Sequence, residues 1–222
     1  MQVKIISITQ SLVENVPLSA EELIVYTARV SNPSNQENLE TSEKLLRYLI
    51  KNKHWSPLDM CDMTVEVKTS RAISQQIARH WSHRFQEFSM RYAEALELEP
   101  IQFRKAGATN RQSSEEIFDP NLYPDFGGKA SVLIDGYLKE GLQLYKQLLT
   151  AGVAKECARM ILPLTTTTTI YMKASARSWF HYFEQRLDKH AQLEHRQVAE
   201  EILKLYQQYF PVLSTLLTYE KA

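Results

Sequence analysis

The chain has 222 residues, 44% of them apolar, and 26 basic side chains balance 26 acidic ones. That is enough chain for one well-buried domain and too ordinary a composition for a fibre or a disordered segment. Zero net charge gives no general attraction to nucleic acid or anionic lipid, and no apolar run approaches the ~20 residues that span a bilayer.

From the N-terminus, Val3 to Thr9 alternates β-formers with polar residues and predicts a strand. Ser19 and Glu22 stand at capping-box spacing and predict a helix of about nine residues. Leu45, Leu46, Leu49 and Ile50 recur at helical spacing, so Ser42 to Lys53 is expected to be a second helix, ended by "HWSP". Cys61, Met63, Val65 and Val67 alternate with polar residues and predict a strand with one buried face. Ser70 is expected to cap a helix that carries Ile73 and Ile77 inward and runs on into "RHWSHRFQEFSMRY", Arg79 to Tyr92. On that helix Gln76, Arg79, His80 and His83 would share one polar face.

Beyond Tyr92 a short helical segment and a strand at Ile101 to Arg104 are expected, followed by a long loop from Lys105 to Gly128 that could serve as a lid. Ala130 to Thr150 is the clearest helix, with Ile134, Leu138, Leu142, Tyr145 and Leu149 as its stripe and Gly152 as its stop. A short helix carries Arg159. "TTTTTI" reads as an extended connector, and Ser175 to Leu187 and His190 to Tyr209 as two more helices. No repeat or break in composition divides the chain, which predicts a single α+β domain over 1–222.

Cys61 and Cys157 are too few for a disulfide framework, and together with the absence of a signal-peptide pattern they point to the cytoplasm. His190 and His195 are five apart and miss the spacing that puts two ligands on one helix face, so no metal is expected. Six glycines without a phosphate-binding pattern argue against a Rossmann or P-loop site. The remaining signal is a set of arginines, Arg79, Arg84, Arg91, Arg159, Arg177 and Arg186, whose planar forks suit phosphates and the edges of bases. Arg177 and His181 share a helix face, whereas Arg186 falls about 180° round from Arg177. That spacing predicts a helix lying between two pockets, as in an oligomer with sites at its subunit interfaces.

"RHWSHRFQEFSMRY" resembles the signature of the flavin-dependent thymidylate synthases, keeping Arg79, His80, Glu87, Ser89, Arg91 and Tyr92. "TARVSN", "HWSPLD", "ARMILP" and "SARSWFHYFEQRLDKHAQLE" resemble further stretches of that family, in family order. The resemblance implies an α+β fold with a central antiparallel sheet and several long helices, assembled as a homotetramer that shares FAD between subunits. It implies methylene transfer from 5,10-methylenetetrahydrofolate to dUMP, with reduction by a flavin that NADPH re-reduces. Arg186 matches the catalytic arginine at the uracil ring. Gln76, Arg79, Glu87, Ser89, Met90, Arg91, Arg159 and Arg186 match dUMP positions. Ser31, Ser56, Arg79, His80, Trp81, Glu87, Ser175, Arg177 and His181 match flavin positions. Trp81 stands where the signature has its second arginine, Arg84 where serine is usual, Gln86 where asparagine is usual and Met90 where glycine is usual. Ser175 and His181 replace common asparagines. No nucleic acid or membrane partner is implied.

Overall fold

The computed structural model describes residues 1–14, 16–108, 114–123 and 127–220. In chain order its elements are β1 (Gln2–Ile8), α1 (Ala20–Ala28), α2 (Ser42–Lys51), β2 (Asp62–Ser70), α3 (Arg71–Ile77), β3 (Arg84–Glu87), β4 (Arg104–Ala106), β5 (Ser114–Ile117), α4 (Ala130–Thr150), α5 (Lys155–Ala158), β6 (Thr167–Ser175), α6 (Ala176–Arg186), α7 (Leu193–Tyr209) and α8 (Pro211–Ser214). Short 3₁₀ turns stand at Pro33–Asn35, Ser56–Met60 and Arg159–Ile161. One sheet has the order β1-β2-β6-β3, and β4 pairs antiparallel with β5. The expected mixed α/β fold, with an antiparallel sheet and several helices, is the one observed.

Contacts divide the chain into two compact units. One holds Met1, Lys68–Gln75 and Glu87–Thr169; the other holds Gln2–Val67, Gln76–Gln86 and Ile170–Ala222. The second unit contains most of the buried aromatic side chains. There Ser19 caps α1, its hydroxyl accepting from the Glu22 N–H at 3.2 Å while the Glu22 carboxylate accepts from the Ser19 N–H at 2.8 Å. Each such cap satisfies donors that would otherwise be orphaned at a helix start. Helix α6 buries Trp179, Phe180, Tyr182 and Phe183. The Trp179 indole donates to the Met63 carbonyl at 3.0 Å, which ties α6 to β2.

The first unit differs most from the sequence expectations. The short helix expected just beyond Tyr92 does not form, residues 93–103 being non-helical, and "TTTTTI" is extended as expected but is paired rather than merely connecting. The Glu99 N–H donates to the Thr165 carbonyl and the Thr167 N–H to the Glu97 carbonyl, so the two segments zip together and the run continues as β6. Glu97 to Glu99 have good helix propensity, but pairing with a β-branched partner overrides it. Ser70 ends β2 and does not cap α3 by its hydroxyl; its N–H is satisfied by Glu99 Oε2 at 2.8 Å. Part of the expected 105–128 loop is the β4–β5 hairpin, and its residues 109–113 and 124–126 lie outside the described residues. Helix α4 matches its expected bounds, with Gly152 at φ 87° just past its end. Only a glycine adopts that left-handed backbone without strain.

Helix α3 also stops sooner than expected. It ends at Ile77, and the N–H groups of Arg79, His80 and His83 bond back to carbonyls three residues earlier, closing a tight turn before β3. Gln76, Arg79, His80 and His83 therefore do not form one helical face. His83 is buried while Arg79 is exposed.

Candidate functional site

A cleft of about 780 Å³ opens in the second unit. The turn after α3 and the start of β3 supply Arg79, His80, Trp81 and Arg84, and α6 supplies Arg177, His181, Gln185 and Arg186. Lys173 and Ser175 enter from the end of β6, and Trp55 and Asp59 from the turn before β2. Of the expected flavin residues, Arg79, His80, Trp81, Ser175, Arg177 and His181 are brought together here, and the expected catalytic Arg186 joins them. Ser56 starts the 3₁₀ turn that presents Asp59 but does not line the cleft. Ser31 lines a separate depression with Arg29, Asn32 and Lys44.

Arg177 and Arg186 line the same cleft, which corrects the expectation that they face two pockets. Nine residues of helix advance about 13 Å, so a groove running along α6 meets both ends. The Arg186 side chain reaches His80 across the cleft lining. This geometry removes the spacing of the two arginines as an argument for subunit-interface sites.

The cleft lining carries five permanent or near-permanent cations, Arg79, Arg84, Lys173, Arg177 and Arg186, against Asp59 and Asp62. Asp59 holds Arg177 at 3.1 Å and also accepts from the Ser175 hydroxyl at 2.7 Å. Asp62 pairs with Lys173 at 3.2 Å. Among the described residues no carboxylate pairs with Arg79, Arg84 or Arg186, so an unbalanced positive charge faces the cleft. Trp81 is 87% exposed there. A flat ring can stack on such an indole, while guanidinium groups with no carboxylate partner suit an anionic linker such as a diphosphate. Asp59 and Lys173 were not anticipated from sequence; the acid in "HWSPLD" and the exposed lysine of β6 were visible, but nothing local tied them to a cleft.

His80 belongs both to the cleft lining and to a cluster of imidazoles with His83 and His195. Arg186 Nε donates to His80 Nε2 at 2.8 Å. A guanidinium only donates, so His80 carries its ring proton on Nδ1. Burial first, then Arg186 and His181, lower the His80 pKa to about 4. His83 packs edge-on against Trp179 with ring centroids 4.6 Å apart, and burial pushes its pKa down to about 3. His195 is fully buried beside Tyr182. Burial also lowers the pKa of Arg186 below the ordinary arginine value.

The remaining expected nucleotide residues divide by unit. Gln76 belongs to the second, where its amide bonds Gln192 and His195. Glu87, Ser89, Met90, Arg91 and Arg159 belong to the first. Glu87 Oε1 accepts from Arg71 at 3.0 Å, from the Ser74 hydroxyl at 2.9 Å and from the Thr168 hydroxyl at 3.0 Å. That carboxylate has a structural role whatever else it does. Met90 is buried. Arg91 pairs with the Glu156 carboxylate at 3.4 Å and Arg159 donates to the Glu156 carbonyl at 3.3 Å, so the two arginines converge on one exposed residue.

The model of a family described as thymidylate synthase complementing protein matches residues 11–212. A flavin-dependent thymidylate synthase of Synechocystis sp. is 45% identical over 219 residues, covering 98% of this chain and 99% of that protein. A probable flavin-dependent thymidylate synthase of Paramecium bursaria Chlorella virus 1 is 43% identical, covering 98% and 99%. Among solved structures, a UMP/dUMP methylase from Streptomyces cacaoi superposes with a TM-score of 0.73 at 23% identity, covering 96% of this chain and 93% of that one, a likeness of fold.

Proposed function

The chain belongs to the flavin-dependent thymidylate synthase family, and from that premise we propose that it converts dUMP to dTMP with 5,10-methylenetetrahydrofolate as methylene donor, FAD as cofactor and NADPH as reductant. The match over residues 11–212 supports reading the whole chain as one functional domain. Arg79, His80, Trp81, Ser175, Arg177 and His181 would hold the flavin, and the cationic cleft fits its diphosphate. When bound, the reduced flavin supplies the electrons that turn the transferred methylene into a methyl group.

The protein's own part is electrostatic. The single observation that carries the reading is Arg186, a half-buried guanidinium in the cleft, held by a neutral imidazole and opposed by no carboxylate among the described residues. A cation so placed stabilises negative charge developing on the N3–O2 edge of a uracil ring, which makes C5 a better nucleophile. Gln76, Glu87, Ser89 and Met90 would contact the nucleotide, with Arg91 and Arg159 at its phosphate. Ser31 and Ser56 would be secondary flavin contacts. We assign the assembly as a homotetramer and the location as the cytoplasm. Val132, Leu133, Tyr137 and Leu144 leave an exposed apolar strip on α4 that suits a subunit contact. No helix among the described residues is long and apolar enough to cross a membrane.

Purified protein should be yellow and oxidise NADPH, with dTMP formed only when dUMP and methylenetetrahydrofolate are both present. A colourless protein that cannot be reconstituted with FAD refutes this reading and leaves a non-catalytic nucleotide-binding homologue.

A further inference from the structure

A chain of hydrogen bonds in the second unit runs from a carboxylate to a buried phenol. Glu194 Oε2 accepts from Gln192 Nε2 at 2.9 Å. That turns Gln192 Oε1 toward Gln76, where it accepts from Gln76 Nε2 at 2.6 Å. Gln76 Oε1 then faces His195 Nδ1 at 3.4 Å, and His195 Nε2 faces the Tyr182 hydroxyl at 3.2 Å. Gln192, Gln76, His195 and Tyr182 can each both donate and accept, so by themselves they could be ordered in either direction. The Glu194 carboxylate can only accept. It fixes the polarity of the whole chain: Gln192 donates to it, Gln76 donates to Gln192, His195 donates to Gln76 through a protonated Nδ1, and Tyr182 donates to His195.

His195 and Tyr182 are closed to solvent, so water cannot substitute for a reversed bond. Burial and the neighbouring Arg186 and His80 lower the pKa of His195 to about 3, which keeps the imidazole neutral and its Nε2 an acceptor. Gln76 is left with one N–H and one lone pair for a ligand. Resting on the reading in which Gln76 meets the nucleotide, we propose that Glu194, Gln192, His195 and Tyr182 are positioning residues that hold the Gln76 amide in one orientation and so select uracil over cytosine. The two bases differ in this respect: uracil offers an acceptor at O4 beside a donor at N3, and cytosine offers a donor at N4 beside an acceptor at N3. A flipped amide would exchange the preference.

The test uses the FAD-loaded protein, binding of dUMP and dCMP measured by titration, and ¹⁵N shifts of the His195 ring. Glu194→Gln is nearly isosteric and removes the acceptor-only end. It should reduce the preference for dUMP over dCMP by about tenfold, the size of one misdirected hydrogen bond at a desolvated group, with flavin content and melting temperature unchanged. The ring, protonated on Nδ1 in the native protein, should become a mixture of tautomers. Native discrimination in Glu194→Gln, or a ring that keeps its single tautomer, overturns the proposal. Gln76→Ala separates the premise: if that variant binds dUMP as the native protein does, the assignment of Gln76 to the nucleotide fails. If it loses dUMP while Glu194→Gln discriminates normally, only the positioning chain fails.

Discussion

Two arginine sites, one in each unit, are built in opposite ways. In the second, Arg186 is half-buried, bonded to a neutral histidine, with no carboxylate partner among the described residues. In the first, Arg91 and Arg159 meet over Glu156, where Arg91 and Glu156 leave 57% and 58% of their side chains exposed. An ion pair in water is weak and readily exchanged, whereas a desolvated cation without a counter-charge exerts its full field on whatever enters beside it. On the proposed reading, the difference would separate a site that acts on developing charge from one that holds a charge already present.

Replacing Arg186 should therefore have the largest effect. Arg186→Ala is expected to lower kcat by about 10²–10³-fold, the usual cost of one preorganised stabilising group, while the protein stays yellow because the other flavin-cleft cations remain. Steady-state dTMP formation checks it, and native turnover would erase the contrast between the two units.

Next in size is the acid response of the imidazoles around Arg186. The folded pKa values of His80, His83 and His195, about 4, 3 and 3, lie below the ordinary value of 6.5. In each case the unfolded chain takes up a proton that the folded chain refuses. Their contribution to stability is thus complete above about pH 7 and is lost as pH falls from about 6.5 through 4 toward 3. Thermal melts across that range should show a steep decline. His83 tests the origin, because its Nε2 is buried with no partner among the described hydrogen bonds. His83→Phe should flatten the decline by roughly a third, one of three differential protons. An unchanged slope would mean that His83 titrates as an ordinary histidine and that the decline has another origin.

The same contrast marks what the sequence could reveal. Elements fixed by local chemistry were legible: the Ser19 and Glu22 cap, the alternation of β2, and the 21-residue α4. Elements fixed by distant partners were not. Nothing near Thr165 to Thr169 announces that Glu97 and Glu99 lie alongside, and nothing near Ile77 announces that the chain must turn into β3. For the site, the motif around Arg79 and His80 and the helix carrying Arg177 and His181 identified the cleft's lining, but periodicity alone misjudged Arg186, since it ignores how far a long side chain reaches. Gln192 and His195 were hidden for a similar reason: they are more than a hundred residues from Gln76, and only the folded chain brings them to it.

The smallest expected effect lies in the first unit. Glu156 occupies the Arg91 guanidinium without burying it, so Glu156→Gln should change stability by less than about 1 kcal/mol. If Arg91 serves the nucleotide phosphate, Glu156 competes with that phosphate, and its neutralisation should tighten dUMP binding by up to about fivefold, the equivalent of the same free energy. Deoxyuridine, which has no phosphate, should bind both proteins equally. Calorimetric titration with the two ligands separates the cases. Tighter dUMP with unchanged deoxyuridine leaves Glu156 as an exchangeable placeholder. A tenfold loss of dUMP affinity would make Glu156 part of the binding surface, and the first unit would then rely on a fixed charge network much as the second relies on Arg186 and His80.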